Sequence, residues 1–310
     1  MAQAATTSVL RIGSRGSPLA LAQAREVRDR LAAAGADPAR IEIVVIRTTG
    51  DTVQGPLADA GGKGLFTKEI EEALLAGRID LAVHSSKDLP TVLPQGLVLA
   101  GFLPREDPRD AFISRKAKSL RELPAGAVIG TASPRRQALL KRMRPDLNVV
   151  TLRGNVETRL RKLDDGEVDA TLLAAAGLKR LGLLSAATAM LDPEEFLPAV
   201  GQGAIGLQTR ADDATIRALI GDINDADTAT ALAAERAFLD VLDGSCRTPI
   251  GGHASIAGGR LRFRGIIVKP DGSEAIEAAR EGDREQAAEI GADAGRELRR
   301  RASADFFVRA

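Results

Sequence analysis

Val9-Leu10-Arg11-Ile12-Gly13-Ser14-Arg15-Gly16-Ser17-Pro18-Leu19-Ala20 is the stretch from which the fold is read. Val9 to Gly13 reads as a short buried strand. Ser17 suits a helix N-cap, and Pro18 suits the first helical position, where no backbone N–H is needed. Leu19, Ala22, Val27 and Leu31 then share one side of a helix that Gly35 ends, and Ile41 to Ile46 is the next strand. The same grammar returns in Val128-Ile129-Gly130-Thr131-Ala132-Ser133-Pro134, opening a helix toward Met143. Leu147 to Arg153 echoes Ile41 to Arg47, and Gly166-Glu167-Val168-Asp169-Ala170-Thr171 echoes Gly77-Arg78-Ile79-Asp80-Leu81-Ala82. Kept in this order, the echoes predict two related α/β lobes of strand-helix-strand-helix-strand type. Chance likeness between βα units is the competing reading.

The lobes differ by an insertion. Thr52 to Gly64, with glycines at 55, 61, 62 and 64, predicts a mobile loop in the first lobe. Pro104 to Pro108 and Asp192 to Gly203 read as crossings between lobes, so that residues near Ala204 to Leu219 return to complete lobe one. Two lobes joined by two crossings predict a cleft at the carboxyl ends of parallel strands. The last third changes character: a helix over Thr228 to Leu242, a loop Asp243-Gly244-Ser245-Cys246, strands around Gly258-Gly259 and Asp271-Gly272, and a final helix from Arg284 to Arg301. The expected domains are 1–103 with 199–221, 104–198, and a small α+β domain at 222–310.

Composition narrows the function. Across 310 residues, 43 basic side chains face 42 acidic ones, so no global field draws the chain to nucleic acid or a membrane. There is no Trp, no Tyr and only 8 Phe, which removes the stacking platforms that single-stranded nucleic acid needs. One cysteine excludes an internal disulfide, and two histidines argue against a His-based metal site. Met1 to Val9 lacks an apolar core and does not read as a signal peptide, and no apolar run reaches membrane-spanning length. A cytoplasmic protein is expected.

Three features carry chemistry. Ser17 and Ser133 cap helices that start just after strands, where free N–H groups favour anions. Arg15, Arg135 and Arg136 flank those caps, and Arg153 and Arg159 follow the matching strand of lobe two. Each alone is a solvated charge; together they predict a multiply anionic ligand, since guanidinium groups fork onto carboxylates. His84-Ser85-Ser86-Lys87-Asp88 follows the apolar Ile79 to Val83 and so stands at a strand's carboxyl end, with Asp88 read either as a catalytic carboxylate or as a turn cap. Cys246 sits among Gly244, Ser245, Arg247 and Thr248, which suit an exposed loop, and Arg247 would favour its thiolate. A lone cysteine is otherwise a small buried hydrophobe, and that alternative stays open.

Taken together, several long stretches resemble the porphobilinogen deaminase family. They are Arg11-Ile12-Gly13-Ser14-Arg15 with Ser17-Pro18-Leu19-Ala20, Gly61 to Phe66, Ala82 to Asp88, Arg105 to Phe112, Leu152-Arg153-Gly154-Asn155-Val156 with Thr158-Arg159-Leu160, and Pro198 to Ala204. The resemblance implies an α/β fold with two periplasmic-binding-protein-like lobes and a smaller α+β C-terminal domain. It also implies a dipyrromethane cofactor joined to Cys246 by a thioether. Four porphobilinogen units are condensed onto it with loss of ammonia, and hydroxymethylbilane is hydrolysed off. Arg15, Arg135, Arg136, Arg153, Arg159 and Arg180 match the arginines that bind the acetate and propionate groups, with Ser17 and Ser133 adding cap-site donors. Lys87 would hold a side chain near the reacting ring, and Lys63 and Phe66 match residues that cover the site. Asp88 matches the catalytic aspartate, which stabilises the cation left when ammonia departs and assists proton transfer. A monomer is implied. Ser245, Arg247 and Pro134 depart from the common pattern, and none removes a chemical group. Two other readings remain: a two-lobe binding module for a small polyanion, which has no use for Cys246 or Asp88, and a regulatory effector domain, for which neither end offers a helix-turn-helix.

Overall fold

The computed structural model describes residues 9–52, 64–242, 249–303 and 306. The interior of the expected Thr52 to Gly64 loop, with Lys63, and the segment with Ser245, Cys246 and Arg247 lie outside the described residues. The chain divides into two compact units, Met1–Pro104 with Ile205–Ala226, and Arg105–Ala204 with Asp227–Ala310.

Unit 1 contains β1 (Leu10–Ser14), α1 (Pro18–Ala33), β2 (Ile41–Val45), α2 (Thr49–Thr52), α3 (Lys68–Leu75), β3 (Leu81–Ser85) and β4 (Leu97–Phe102). After an excursion through unit 2, the chain returns to it as β10 (Ile205–Arg210) and α7 (Ala214–Gly221). The sheet order is β2-β1-β3-β10-β4. β1 runs parallel to β2 and β3, while β10 runs antiparallel to β3 and β4. The opening motif folds as its residues demand: Ser17 Oγ accepts from Ala20 N at 3.3 Å, and Pro18 occupies the first turn. Beneath α1, a core of Ile12, Val27, Leu31, Leu81, Val83, Ile205 and Leu207 closes the sheet face.

Unit 2 holds β5 (Asp110–Ser114), β6 (Val128–Gly130), α4 (Pro134–Met143), β7 (Asn148–Val150), α5 (Val156–Asp164), β8 (Ala170–Ala174), α6 (Ala175–Arg180) and β9 (Ala189–Met190). Its sheet order, β7-β6-β8-β5-β9, reproduces unit 1 strand for strand, with β5 as the antiparallel return strand in place of β10. The strand expected over Leu147 to Arg153 shortens to Asn148–Val150. Gly154, at φ 122°, turns the backbone, and Asn155 Oδ1 accepts from Thr158 N at 2.8 Å to start α5.

The same unit contains α8 (Ala226–Val241), β11 (Ile250–Ala257), β12 (Arg260–Val268), β13 (Ala275–Asp283) and α9 (Ala287–Arg301). β11-β12-β13 form an antiparallel sheet whose first turn uses Gly258 and Gly259 at positive φ. Ile266 and Val268 of β12 share one core with Phe112, Leu139 and Phe196. Glu235 on α8 is fully buried and accepts from Gly201 N at 2.7 Å, Ala254 N at 2.8 Å and both terminal nitrogens of Arg105. One carboxylate thus ties three distant segments together. No described helix is long and apolar enough to cross a membrane.

Candidate functional site

In unit 1, β3 is followed by a single 3₁₀ turn, Ser86–Asp88, which leaves Lys87 and Asp88 exposed. Asp88 has no ion pair or hydrogen bond among the described residues, so its carboxylate is open to a ligand. The strand end beneath it is held by buried polar groups. Ser85 Oγ and the Gln23 amide approach at 2.9 and 3.1 Å. His84, read as following the strand at its carboxyl end, is instead within β3 and buried, because the strand continues through Ser85. Its Nε2 lies 3.0 Å from Gln208 Oε1; Gln208 Nε2 donates to Glu71 Oε1 at 3.1 Å, and Thr67 Oγ1 donates to Glu71 Oε2 at 3.3 Å. With the Gln208 amide nitrogen committed to Glu71, His84 Nε2 is the donor of its pair. Burial pushes the imidazole down to about 4; the Gln208 bond opposes this, and the Arg15 charge adds to it. Gln23, Glu71 and Gln208 escaped the sequence reading. Gln23 had a signal, since it interrupts the Leu19, Val27, Leu31 row at four-residue spacing on the buried side of α1.

Arg15 and Phe66 meet: the guanidinium carbon lies 4.2 Å from the ring centroid. Gly50 makes room, for a Cβ there would lie 2.3 Å from the Phe66 ring, and Gly50 N donates to Leu65 O at 2.8 Å. Ser17 keeps its hydroxyl on the α1 cap.

In unit 2, Ser133 caps α4 by accepting from Arg136 N at 3.4 Å. The two arginines that follow turn inward. Arg135 donates to Asp110 Oδ2 at 2.7 Å and Leu197 O at 2.8 Å, and lies 5.5 Å over Phe196; its Nε is buried without a partner. Arg136 donates to Asp110 Oδ1 through Nε at 2.9 Å and Nη2 at 2.6 Å, and to Leu172 O at 2.8 Å. Gln202 Nε2 adds a bond to Asp110 Oδ1 at 3.1 Å. Burial alone would raise the Asp110 carboxyl, but the two guanidinium groups outweigh it and hold it well below the usual range. Arg159, half-buried on α5, is pushed down to about 10 by desolvation and by the charge of Arg136, and stays a cation at neutral pH. Half-buried Arg153 has no ion pair among the described residues, and Arg180 Nη2 donates to Gly203 O at 3.1 Å. Two buried guanidinium groups share one buried carboxylate, and half-buried Arg159 adds a third cation, so positive charge is in excess there. Such an excess favours a ligand bringing its own carboxylates. Among the described residues, no group of three or more His, Cys, Asp or Glu could hold a metal ion.

Comparison with known proteins agrees with this chemistry. The family model "porphobilinogen deaminase, dipyromethane cofactor binding domain" matches residues 10–218, and "porphobilinogen deaminase, C-terminal domain" matches 229–300. Curated porphobilinogen deaminases from Nitrobacter hamburgensis and Paracoccus denitrificans are 64% and 58% identical over 299 and 300 residues, 96% of this chain and 95% and 96% of theirs. The chloroplastic porphobilinogen deaminase of Oryza sativa is 56% identical over 98% of this chain and 87% of its own. A solved nutrient-binding protein from Burkholderia cenocepacia bound to methionine is similar at TM-score 0.43 and 18% identity, over 71% of this chain and 93% of that one, too distant to carry ligand or mechanism across. With both family models matched and whole-length relatives well above half identical, the chain belongs to the porphobilinogen deaminase family.

Proposed function

We propose that the chain is a porphobilinogen deaminase that condenses four porphobilinogen molecules onto a Cys246-linked dipyrromethane, releases one ammonia per step, and hydrolyses off hydroxymethylbilane. The observation that carries this reading is the excess of positive charge in unit 2, where two buried guanidinium groups share Asp110 and the charge of Arg136 acts on half-buried Arg159. The donor set fits the cofactor: two pyrrole rings, each with an acetate and a propionate, need several cations and cap-site donors, and Lys87, Ser133 and Arg136 would hold them, with Arg135, also matched to the cofactor, engaged by Asp110 and the Leu197 carbonyl. Arg15, Ser17, Lys63, Phe66, Arg153, Arg159 and Arg180 are assigned to the substrate and growing chain, and Lys87 to a carboxylate beside the reacting ring. When bound, the dipyrromethane supplies the nucleophilic pyrrole carbon that starts the chain. Asp88 then acts on the substrate. Its exposed carboxylate accepts a hydrogen bond from the pyrrole N–H as ammonia leaves, offsets the developing positive charge, and takes up the proton released when the rings join. The arginines would hold the carboxylates, so that the reacting groups are kept together and need not meet by diffusion.

The enzyme is read as a cytoplasmic monomer with neither nucleic acid nor membrane as partner. Intact-mass measurement of protein purified from a haem-producing host tests the reading. A dipyrrole-sized increment, absent from Cys246→Ser, with ammonia release from porphobilinogen only in the loaded protein, is the expected result. An unmodified, inactive wild-type chain would overturn it in favour of the polyanion-binding module.

A further inference from the structure

The two units share a strand order and a Ser-Pro helix start, so their chemistry can be compared position by position. Ile205 of β10 pairs with Ser85, and its counterpart Asp110 of β5 pairs with Ala174. Leu19 and Ala20 follow Pro18, whereas Arg135 and Arg136 follow Pro134. Where unit 1 has two half-buried apolar residues in the first turn of its capped helix and buried Ile205 on its return strand, unit 2 has two buried guanidinium groups and a buried carboxylate at the matching positions. Such a buried set is not a cheap route to stability, because well-packed apolar residues do as well or better.

The geometry around Asp110 is divided between its oxygens. Oδ2 takes Arg135, whose two terminal nitrogens are held by Asp110 and the Leu197 carbonyl and whose guanidinium lies over the Phe196 face. Oδ1 takes two donors from Arg136 and one from Gln202. Gln202 is itself fixed by donating to Pro108 O at 2.7 Å. Of the five N–H groups of Arg136, three are held in this way and by Leu172 O, and the positive charge left over acts on half-buried Arg159.

We propose that Asp110 is a positioning residue of the deaminase reaction: it locks Arg135 as a strut and aims Arg136 so that Arg136 and Arg159 together hold a ligand carboxylate. This rests on the reaction proposed above. Asp110 itself touches no ligand. Its effect is geometric, and this separates it from two plainer roles. A simple counter-charge would weaken anion binding by its presence, so Asp110→Asn would tighten it. Removing a purely structural carboxylate would lower stability and leave the folded fraction unaltered in binding. A positioning carboxylate makes binding worse on removal, despite the added positive charge.

The test compares wild type, Asp110→Asn, Asp110→Glu and Arg136→Lys, each checked for cooperative urea unfolding. The readouts are the fraction carrying the dipyrrole mass increment as purified, and KM and kcat of the loaded fraction with porphobilinogen. Asp110→Glu keeps the charge and moves it by one methylene; Arg136→Lys keeps the charge and loses the fork. All three variants are expected to load poorly, and what loads should show KM raised between about tenfold and a hundredfold, with a smaller change in kcat. Should Asp110→Asn not fold, Asp110→Glu and Arg136→Lys decide alone. Normal loading and KM in folded Asp110→Glu, or a lowered KM in Asp110→Asn, overturns the inference. A wild-type chain without the increment overturns the reaction instead.

Discussion

Asp88 and His84 are neighbours on one strand and turn, yet their surroundings make them opposites. Asp88 is exposed and unpaired among the described residues, which suits a group that must meet a substrate and exchange a proton. Asp88→Asn keeps the shape and loses the charge. It should retain the mass increment while kcat falls about 10²–10³-fold, as measured by single-turnover product formation. His84 is buried and neutral, with its folded pKa lowered from 6.5 to about 4. A lowered histidine pKa means the unfolded chain binds the proton more readily, so stability is full above about 6.5 and is lost as pH falls toward 4. The loss from this group approaches ~3 kcal/mol. His84→Asn, neutral at every pH, should lack that part of the decline; urea midpoints at pH 7 and 4.5 for both proteins check it. At this scale the site was half legible. Asp88 could be found because an apolar strand ends just before it. The inward turn of Arg135 and Arg136 could not, because their partner Asp110 is distant in sequence and an arginine at a helix start can point to solvent or to the core. The Gln23 to Ser85 and His84 to Gln208 links were hidden for the same reason: each joins residues more than 60 positions apart.

At the scale of elements, local rules were enough wherever a cap, a proline or a tight glycine turn decided the outcome. The Ser17-Pro18 and Ser133-Pro134 starts, the Gly258-Gly259 turn and the two long C-terminal helices follow directly from their residues. What local rules missed was polar burial inside an otherwise apolar face, and the close approach of α8 and α9. Gly291 of α9 lies against α8 so tightly that a Cβ would stand 1.9 Å from the Ala234 carbonyl oxygen. Glycine is a poor helix former, by about 1 kcal/mol relative to alanine, so its presence there reflects packing. Gly291→Ala should therefore destabilise, by about 1–3 kcal/mol, despite the better helix propensity. Gly221 at the end of α7 is the control, because a Cβ there meets nothing within 4 Å. Gly221→Ala should be neutral or slightly stabilising. Urea unfolding of the two variants beside wild type reads both signs in one experiment, and a stabilised Gly291→Ala would show that the helices part without loss.

On the scale of the whole molecule, the near balance of 43 basic and 42 acidic residues conceals how the charges are used. Two buried carboxylates in unit 2 do different work: Asp110 collects arginines beside the candidate anion site, and Glu235 joins segments that the chain order keeps apart. Glu235 lies on α8, Ala254 on β11, and Gly201 and Arg105 close to the points where the chain passes between units, at Pro104–Arg105 and Ala204–Ile205. Arg105 is pinned further, through Nε to Gln202 O at 2.9 Å and through its backbone N–H to Thr228 Oγ1 at 3.0 Å. Removing one member leaves the other charge buried and uncompensated, which typically costs about 3–5 kcal/mol. Arg105→Met should show a loss of that size, since two backbone N–H groups cannot neutralise Glu235. Adding Glu235→Gln in the same chain removes the stranded charge while keeping an acceptor for a backbone N–H, and should recover a large part of the loss. Urea unfolding of both single variants and the double variant measures the coupling. Additive losses would mean that Glu235 is satisfied by its backbone donors alone; recovery in the double variant would mean that the ion pair itself holds α8 and β11 to the segments on which the chain enters and leaves unit 2.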